Sequence, residues 1–112
     1  MPNYTGVASD EMTLRGLTMV GSGSTKLTAT GRISQSLTPV AVSGATAAEQ
    51  AFTVPGLLVG DFVDITPPAI TAGVAPCCAR VSAANTLQVT FINATAGALT
   101  PPAGVYQIQL QR

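Results

Sequence analysis

The fold is decided by the stretch FTVPGLLVGDFVDI, residues 52–65. Its pattern predicts a strand, a corner at Pro55-Gly56, a second corner at Gly60-Asp61 and another strand. Proline fixes φ at the first central position of a type II turn and glycine accepts the positive φ of the second, so Pro55-Gly56 suits such a turn. The Asp61 side chain is expected to hydrogen-bond within its own turn. We interpret these residues as a hairpin onto which later strands fold.

The clearest strands lie towards the end of the chain. Residues 86–93, TLQVTFIN, place Leu87, Val89 and Phe91 on one face, and residues 104–112, GVYQIQLQR, alternate in the same way. A strict period of two is typical of half-buried antiparallel strands. Shorter strands are predicted within residues 26–37, 40–42, 50–54, 62–66 and 77–82, with a tight turn at residues 84–85. Turn signals about every 8–12 residues then predict an all-β fold, a small antiparallel β-sandwich or jelly-roll-like domain.

Three glutamines form the polar face of the last predicted strand: Gln107, Gln109 and Gln111. One interpretation is a sheet face that is covered by solvent. The other is a subunit interface, because amides can hydrogen-bond across an interface without the desolvation cost of charges. We take these three glutamines as the candidate oligomer interface.

Charged side chains are scarce. They make up 9% of the 112 residues, five basic and five acidic, and none lies between residues 81 and 111. A net charge of zero gives no long-range attraction to nucleic acid or to an acidic membrane surface, and little repulsion between copies. Apolar residues reach 46% but are mostly small, and oligomerisation commonly reinforces a thin core of this kind. We therefore expect protein partners, including further copies of the chain, and neither a nucleic-acid nor a membrane partner.

The expected location follows from two features of the sequence. No apolar run reaches the roughly 18 residues of a transmembrane helix. The first residues, MPNYT, lack the basic start and the apolar stretch of a secretory signal. We expect the chain to be made and assembled in a cytoplasm.

Residues that could carry catalysis are few. Histidine is absent, so no Ser-His-Asp or Cys-His arrangement can form. Asp61 and Asp64 lie three positions apart, and this offset places their side chains on opposite faces of a strand. The sequence therefore predicts that the protein is not an enzyme and has no catalytic residue, no cofactor and no metal site.

Two motifs have both a structural and a chemical interpretation. Cys77 and Cys78 are adjacent, so strand geometry places their side chains on opposite faces, and we expect reduced, partly buried thiols. A metal or redox pair is the alternative, but the further ligands that a metal site needs are missing. The stretch Asn93-Ala94-Thr95 matches the glycosylation acceptor pattern, and we expect this match to be incidental.

The chain divides into two parts. Residues 1–36 are predicted to form an N-terminal arm for attachment, and residues 37–112 the β-sandwich domain. The run GSGS at residues 21–24 favours a flexible or turn-forming segment. The arm would dock on a neighbouring subunit or on a larger shell; the alternative is a frayed terminus.

Three segments carry a resemblance to a known group of proteins. They are TAAEQAFTVPGLLVGD at residues 46–61, ARVSAANTLQVTFIN at residues 79–93 and TPPAGVY at residues 100–106. They resemble segments of small structural proteins of tailed bacteriophages, a group that includes head-decoration (cement) proteins and modules of head or tail fibres. The resemblance covers about residues 37–112 and implies a β-sandwich that commonly trimerises, with no catalytic residues.

The resemblance and the composition together lead to one expected function. The chain would be a capsid decoration protein that binds the major capsid protein as a homotrimer on the surface of the virion and stabilises the phage head. A head- or tail-fibre module that contacts a host receptor is the alternative. A small carbohydrate-active enzyme or lectin is a third possibility, against which the few aromatic residues argue.

Overall fold

The computed structural model describes residues 28–112, and these residues form six β-strands and no helix. The strands are β1 (Thr30–Leu37), β2 (Thr46–Thr53), β3 (Phe62–Thr66), β4 (Val74–Ala83), β5 (Thr86–Asn93) and β6 (Gly104–Gln111). The predicted all-β fold is confirmed. Alanine and glutamate favour a helix by propensity, yet residues 46–50 are extended and belong to β2.

The strands make two antiparallel sheets of three strands each. The first sheet has the order β1-β6-β3 and the second sheet has the order β2-β5-β4. The central strands, β6 and β5, are the two with the most regular alternation of apolar and polar residues. A central strand with one buried face needs this alternation, because successive side chains point to opposite faces of the sheet.

The core lies between the two sheets and takes side chains from both. Leu87, Val89 and Phe91 of β5 are all fully buried, as the alternation predicts. The ring of Phe52 on β2 meets the ring of Phe91 edge to face, with centroids 6.5 Å apart. The buried apolar residues are Leu37, Val42, Val54, Leu57, Val74, Val81, Leu87, Val89, Phe91, Tyr106, Ile108 and Leu110. This shared core gives the arrangement of a small antiparallel β-sandwich.

Tyr106 is the largest fully buried side chain of the core. A buried phenol needs a hydrogen-bond partner, and the Tyr106 hydroxyl donates to the Pro102 carbonyl oxygen at 2.7 Å. Burial raises the pKa of Tyr106. The aromatic ring therefore fills the core while its polar end is satisfied by the chain just before β6.

The predicted hairpin at residues 52–65 is wrong. The strands on either side of the two corners, β2 and β3, belong to different sheets and do not pair with each other. The segment between them crosses from one sheet to the other. Sequence patterns identify strands and corners but not the partner of each strand, and here β2 pairs with β5 while β3 pairs with β6.

The crossing segment is held against the turn between β4 and β5. Val54 N donates to the Asn85 carbonyl oxygen at 2.8 Å, and Asn85 N donates to the Leu57 carbonyl oxygen at 2.8 Å. Gly56 N donates to Asn85 Oδ1 at 2.9 Å. Asn85 has a φ of 62°, which confirms the predicted tight turn. The contacts bury Val54 and Leu57 completely.

The sandwich begins earlier than residue 37. Strand β1 pairs with β6 over its whole length, from Thr30 opposite Gln111 to Leu37 opposite Gly104. Residues 30–36, which the sequence assigned to the arm, are therefore part of the first sheet. The rest of the predicted arm, up to residue 27, lies outside the described residues.

Asn93 joins the connection between β1 and β2 to the connection between β5 and β6. Its side chain is buried, with Nδ2 donating to the carbonyl oxygens of Val42 at 2.9 Å and Gly97 at 2.8 Å. Asn93 Oδ1 accepts hydrogen bonds from Thr95 N at 2.9 Å and from Thr95 Oγ1 at 2.7 Å. Every polar atom of the amide is used inside the protein, so the glycosylation pattern at residues 93–95 is a structural motif of the loop.

We predict that Asn93→Asp destabilises the domain by about 3–5 kcal/mol, because it turns a carboxylate towards two carbonyl oxygens in a buried site. Urea unfolding at pH 7 and one fixed protein concentration measures the effect. The matched control is Gln88→Glu, the same change of amide to carboxylate on the outer face of the same strand, where we expect a change within about 0.5 kcal/mol. Equal stability of the two variants would contradict a structural role for Asn93.

Candidate interaction surface

The three predicted glutamines lie along the centre of one exposed sheet face. On β6, Tyr106, Ile108 and Leu110 face the core, and the glutamines point the other way. Each glutamine sits in a row with one residue of β1 and one of β3: Ser34, Gln107 and Thr66; Arg32, Gln109 and Asp64; Thr30, Gln111 and Phe62. We call these nine residues the glutamine face. The placement of the glutamines on one outer face is confirmed, while their role as a subunit interface stays a prediction.

The three amides of the glutamine face differ in their hydrogen bonds within residues 28–112. Ser34 Oγ donates to Gln107 Oε1 at 2.7 Å, which fixes one of them. Gln109 and Gln111 are exposed, and their side chains make no hydrogen bond with any other part of residues 28–112. Each free amide offers two donors and an acceptor without carrying charge.

One basic and one acidic side chain flank Gln109. Arg32 on β1 and Asp64 on β3 are both exposed. They belong to the two edge strands, so their backbones are about 10 Å apart, twice the spacing of neighbouring strands. Within the described part of the chain neither side chain forms an ion pair. Opposite charges thus lie at the two borders of an uncharged centre.

Phe62 was missed as a surface residue by the sequence reasoning. Its side chain is 78% exposed, beside Gln111, and it borders a shallow depression of about 220 Å³ that Asp64 and Gln109 also line. The alternation of side chains along β3 could have indicated this position: Val63 and Ile65 face the core, so Phe62 shares the outer face with Asp64. Exposed aromatic side chains beside polar groups are enriched at protein interfaces.

The predicted corners lie next to the glutamine face and are built as expected. Gly56 and Gly60 have positive φ angles of 102° and 95°, which explains why glycine occupies both positions. Pro55 precedes Gly56, and proline is common at the first central position of a type II turn. Leu58 N donates to Asp61 Oδ2 at 3.0 Å, and Asp61 N donates to the Leu58 carbonyl oxygen at 3.1 Å. The prediction that Asp61 hydrogen-bonds its own turn is confirmed.

Asp61 has a second partner that sequence reasoning did not identify. Arg112 Nε donates to Asp61 Oδ1 at 2.8 Å, and Arg112 Nη2 donates to the Gly56 carbonyl oxygen at 2.6 Å. The Asp61 side chain is only 2% exposed. The hydrogen bond from Arg112, together with the one from Leu58 N, lowers the pKa of Asp61 below its ordinary value of 3.8, although burial opposes this shift. The two residues are 51 positions apart, so no local pattern could reveal the pair.

An ion pair lies on the outer face of the second sheet. Glu49 on β2 and Arg80 on β4 reach each other across β5, with Arg80 Nε and Nη2 each 2.9 Å from a carboxylate oxygen. The hydrogen bond from Arg80 lowers the pKa of Glu49, and Glu49 in turn raises the pKa of Arg80. The charges of this face therefore satisfy each other within the chain, unlike those of Arg32 and Asp64.

The prediction of two partly buried thiols on opposite faces is wrong. Cys77 and Cys78 are free and exposed, and their sulfur atoms lie 3.7 Å apart. The reason is a β-bulge in β4: Pro76 is opposite Phe91 and Cys78 is opposite the preceding residue, Thr90, so Cys77 has no partner on β5. A bulge re-aims the extra side chain and interrupts the alternation on which the prediction rested.

Residues suited to metal chemistry or catalysis do not cluster in the described part of the chain. Among residues 28–112 no three His, Cys, Asp or Glu side chains come close enough to hold a metal ion. Asp61 is buried under the corner and Asp64 is exposed on β3, so these two carboxylates point in different directions, as predicted. None of these residues forms a helix long and apolar enough to span a membrane.

Comparison with known proteins gives no relative for this chain. No protein-family model, no curated protein and no solved structure matches it. The resemblance to bacteriophage structural proteins therefore stays an expectation from the sequence.

We predict that Asp61→Asn destabilises the domain by about 1–3 kcal/mol at pH 7, because a buried ionic hydrogen bond is lost. The folded state lowers the pKa of Asp61, so the stabilisation is present above the ordinary value of 3.8 and is lost as pH falls through the folded value. Guanidinium unfolding between pH 7 and pH 2 at one protein concentration measures this. The variant should lose less stability on acidification than the wild-type protein does.

The control for Asp61→Asn is Asp64→Asn, which removes the same charge from an exposed position. We expect its stability at pH 7 to stay within about 0.5 kcal/mol of wild type. If Asp61→Asn kept the full acid sensitivity of the wild-type protein, the Asp61–Arg112 pair would not be a source of that sensitivity.

Proposed function

We propose that this chain is a structural protein of a tailed-bacteriophage virion. It would be a decoration (cement) protein that binds the outside of the assembled head as a homotrimer and stabilises the head through contacts with the major capsid protein. The observation that carries the proposal is the glutamine face: an exposed sheet face with an uncharged centre, one exposed aromatic ring, and charges only at its borders. The bacteriophage assignment itself rests on the resemblance of residues 46–61, 79–93 and 100–106.

The glutamine face has the distribution of polarity that a subunit interface needs. Interface centres are depleted in charge, while polar and charged residues are tolerated at the rim. Covering Gln109 and Gln111 desolvates two amides that a partner can satisfy, and Phe62 adds apolar area beside Gln111. Arg32 and Asp64 on the edge strands would stay close to solvent or pair with charges of the neighbour.

The opposite face is the less suitable one. Covering the second sheet would remove water from the Glu49–Arg80 pair, and the desolvation of two ions can cost more free energy than their contact returns. The two outer faces therefore differ in the cost of being covered, and the difference favours the glutamine face as the surface used between subunits.

A cyclic trimer joins two different surfaces of each subunit, so the glutamine face would meet another part of its neighbour. Each trimer would then present three copies of any surface that contacts the capsid. Linked copies bind together far more tightly than one copy alone, so weak individual contacts with the major capsid protein can suffice. The predicted arm would add to these contacts; its first 27 residues lie outside the described residues.

We predict that the wild-type chain has the mass of three subunits in light scattering at micromolar concentration. The variant Gln109→Glu/Gln111→Glu should shift towards the monomer, because it places two carboxylates in the centre of the interface. The control Thr86→Glu/Gln88→Glu adds the same two charges to the outer face of the other central strand, β5, and should stay a trimer.

The three proteins separate two ways in which the proposal can fail. A wild-type protein of monomeric mass would overturn the homotrimer. A trimer that both variants retain would show that subunits join elsewhere than at the glutamine face. Far-ultraviolet circular dichroism of each variant confirms that the domain is folded before its mass is interpreted.

We predict that a gold-labelled antibody against the chain covers the whole head of the phage particle that carries it. Electron microscopy of intact particles measures the distribution of label. Label confined to the tail or to sparse projections would instead identify a fibre module, and particles without label would end the virion assignment. An antibody against the major capsid protein serves as the positive control for access to the head.

A further inference from the structure

Two thiols come together at an exposed site that the proposed function does not use. Cys77 Sγ donates a hydrogen bond to Cys78 Sγ at 3.7 Å, and both side chains are exposed. In a regular strand these side chains would point to opposite faces. The bulge at Cys77 brings them to the same place, so the pairing of the thiols is a property of the local backbone.

The thiols border a groove between the two sheets. Strand β3 is an edge of the first sheet and β4 is an edge of the second, and these strands lie next to each other without pairing. The groove has a volume of about 90 Å³, and it is lined by Asp64 and Ile65 of β3 and by Pro76, Cys77 and Cys78 of β4. A ligand bound by both sulfur atoms therefore has room beside them.

The distance between the sulfur atoms suits binding to one shared atom. Zinc–thiolate bonds are about 2.3 Å long, so two sulfurs on one such ion lie about 3.8 Å apart at the tetrahedral angle. The observed separation of 3.7 Å needs almost no adjustment. Thiolates are also the ligands that thiophilic ions prefer.

The site supplies only two protein ligands. No third His, Cys, Asp or Glu side chain among residues 28–112 completes a metal cluster. A tetrahedral ion would thus have to bring its remaining ligands, whereas a trivalent organoarsenical needs only two thiolates beside its own carbon. The ligand that needs no further protein group is therefore a thiophilic centre that binds two sulfur atoms.

We propose that Cys77 and Cys78 form a chelating site for thiophilic centres that bind two sulfur atoms, such as trivalent arsenic. With phenylarsine oxide, two As–S bonds form, the two thiol protons join the oxide oxygen and leave as water, and arsenic stays trivalent. The chelate closes a ring through both cysteines, and ring closure makes the second bond intramolecular. The site is independent of the virion assignment, because it uses only the bulge of β4.

The test is intact-mass spectrometry of the reduced full chain after treatment with phenylarsine oxide. The wild-type protein should carry one phenylarsenic group per chain. This adduct should survive an excess of a monothiol such as glutathione, and a dithiol such as 2,3-dimercaptopropanol should remove it. Cys77→Ser and Cys78→Ser should each retain the probe at least about 100-fold less tightly, because a single thiol loses the gain from ring closure.

Both serine variants replace exposed side chains, so they should fold as the wild-type protein does. Thermal unfolding of each variant verifies this. An adduct that glutathione removes as easily from the wild-type protein as from the single-cysteine variants would overturn the proposal. So would a serine variant that retains the probe as tightly as the wild-type protein.

Discussion

Burial of one apolar face on each central strand is the interaction on which the domain depends. Strands β5 and β6 each bury three consecutive inward residues, and these six side chains form half of the buried core. Burial of apolar surface, worth roughly 25 cal/mol per Å², is the dominant favourable term in folding. The flanking strands satisfy the backbone hydrogen bonds of the central ones and close the sides of the core.

The two sheets must also be joined, and polar contacts do this where the chain crosses between them. The segment 54–61 leaves the second sheet at β2 and enters the first at β3. Asn85 holds its start through backbone and side-chain hydrogen bonds, and Arg112 holds its end through Asp61. Because Asp61 is buried, this carboxylate is tolerated only with its partners in place. The corner at residues 60–61 therefore depends on the position of Arg112, which directly follows the central strand β6.

Local patterns predicted the parts of this fold that depend on neighbouring residues. Alternation identified β5 and β6 and the residues they bury, and Pro55-Gly56 identified a corner with positive φ at Gly56. The same patterns carry no information on which strands pair. The segment around the corner was therefore interpreted as a hairpin, although β2 and β3 lie in different sheets.

The candidate sites show the same limit. The glutamines were placed on one outer face because a period of two fixes their relation to the core. Arg32 and Asp64 come from other strands, so their position beside Gln109 required the register of the sheet. The prediction that the Cys77 and Cys78 side chains lie on opposite faces was wrong because one extra residue in β4 interrupts the alternation of side chains between the two faces.

The bulge of β4 that brings the two thiols together also lies along the open edge between the two sheets. Strands β3 and β4 lie next to each other, and a continuous ladder between them would join the two sheets into one continuous sheet. Pro76 cannot donate a backbone hydrogen bond, and the unpaired Cys77 bends the strand just after it. Both features are typical ways in which edge strands avoid further pairing. The open groove and the adjacent thiols therefore share one structural origin, the irregular start of β4.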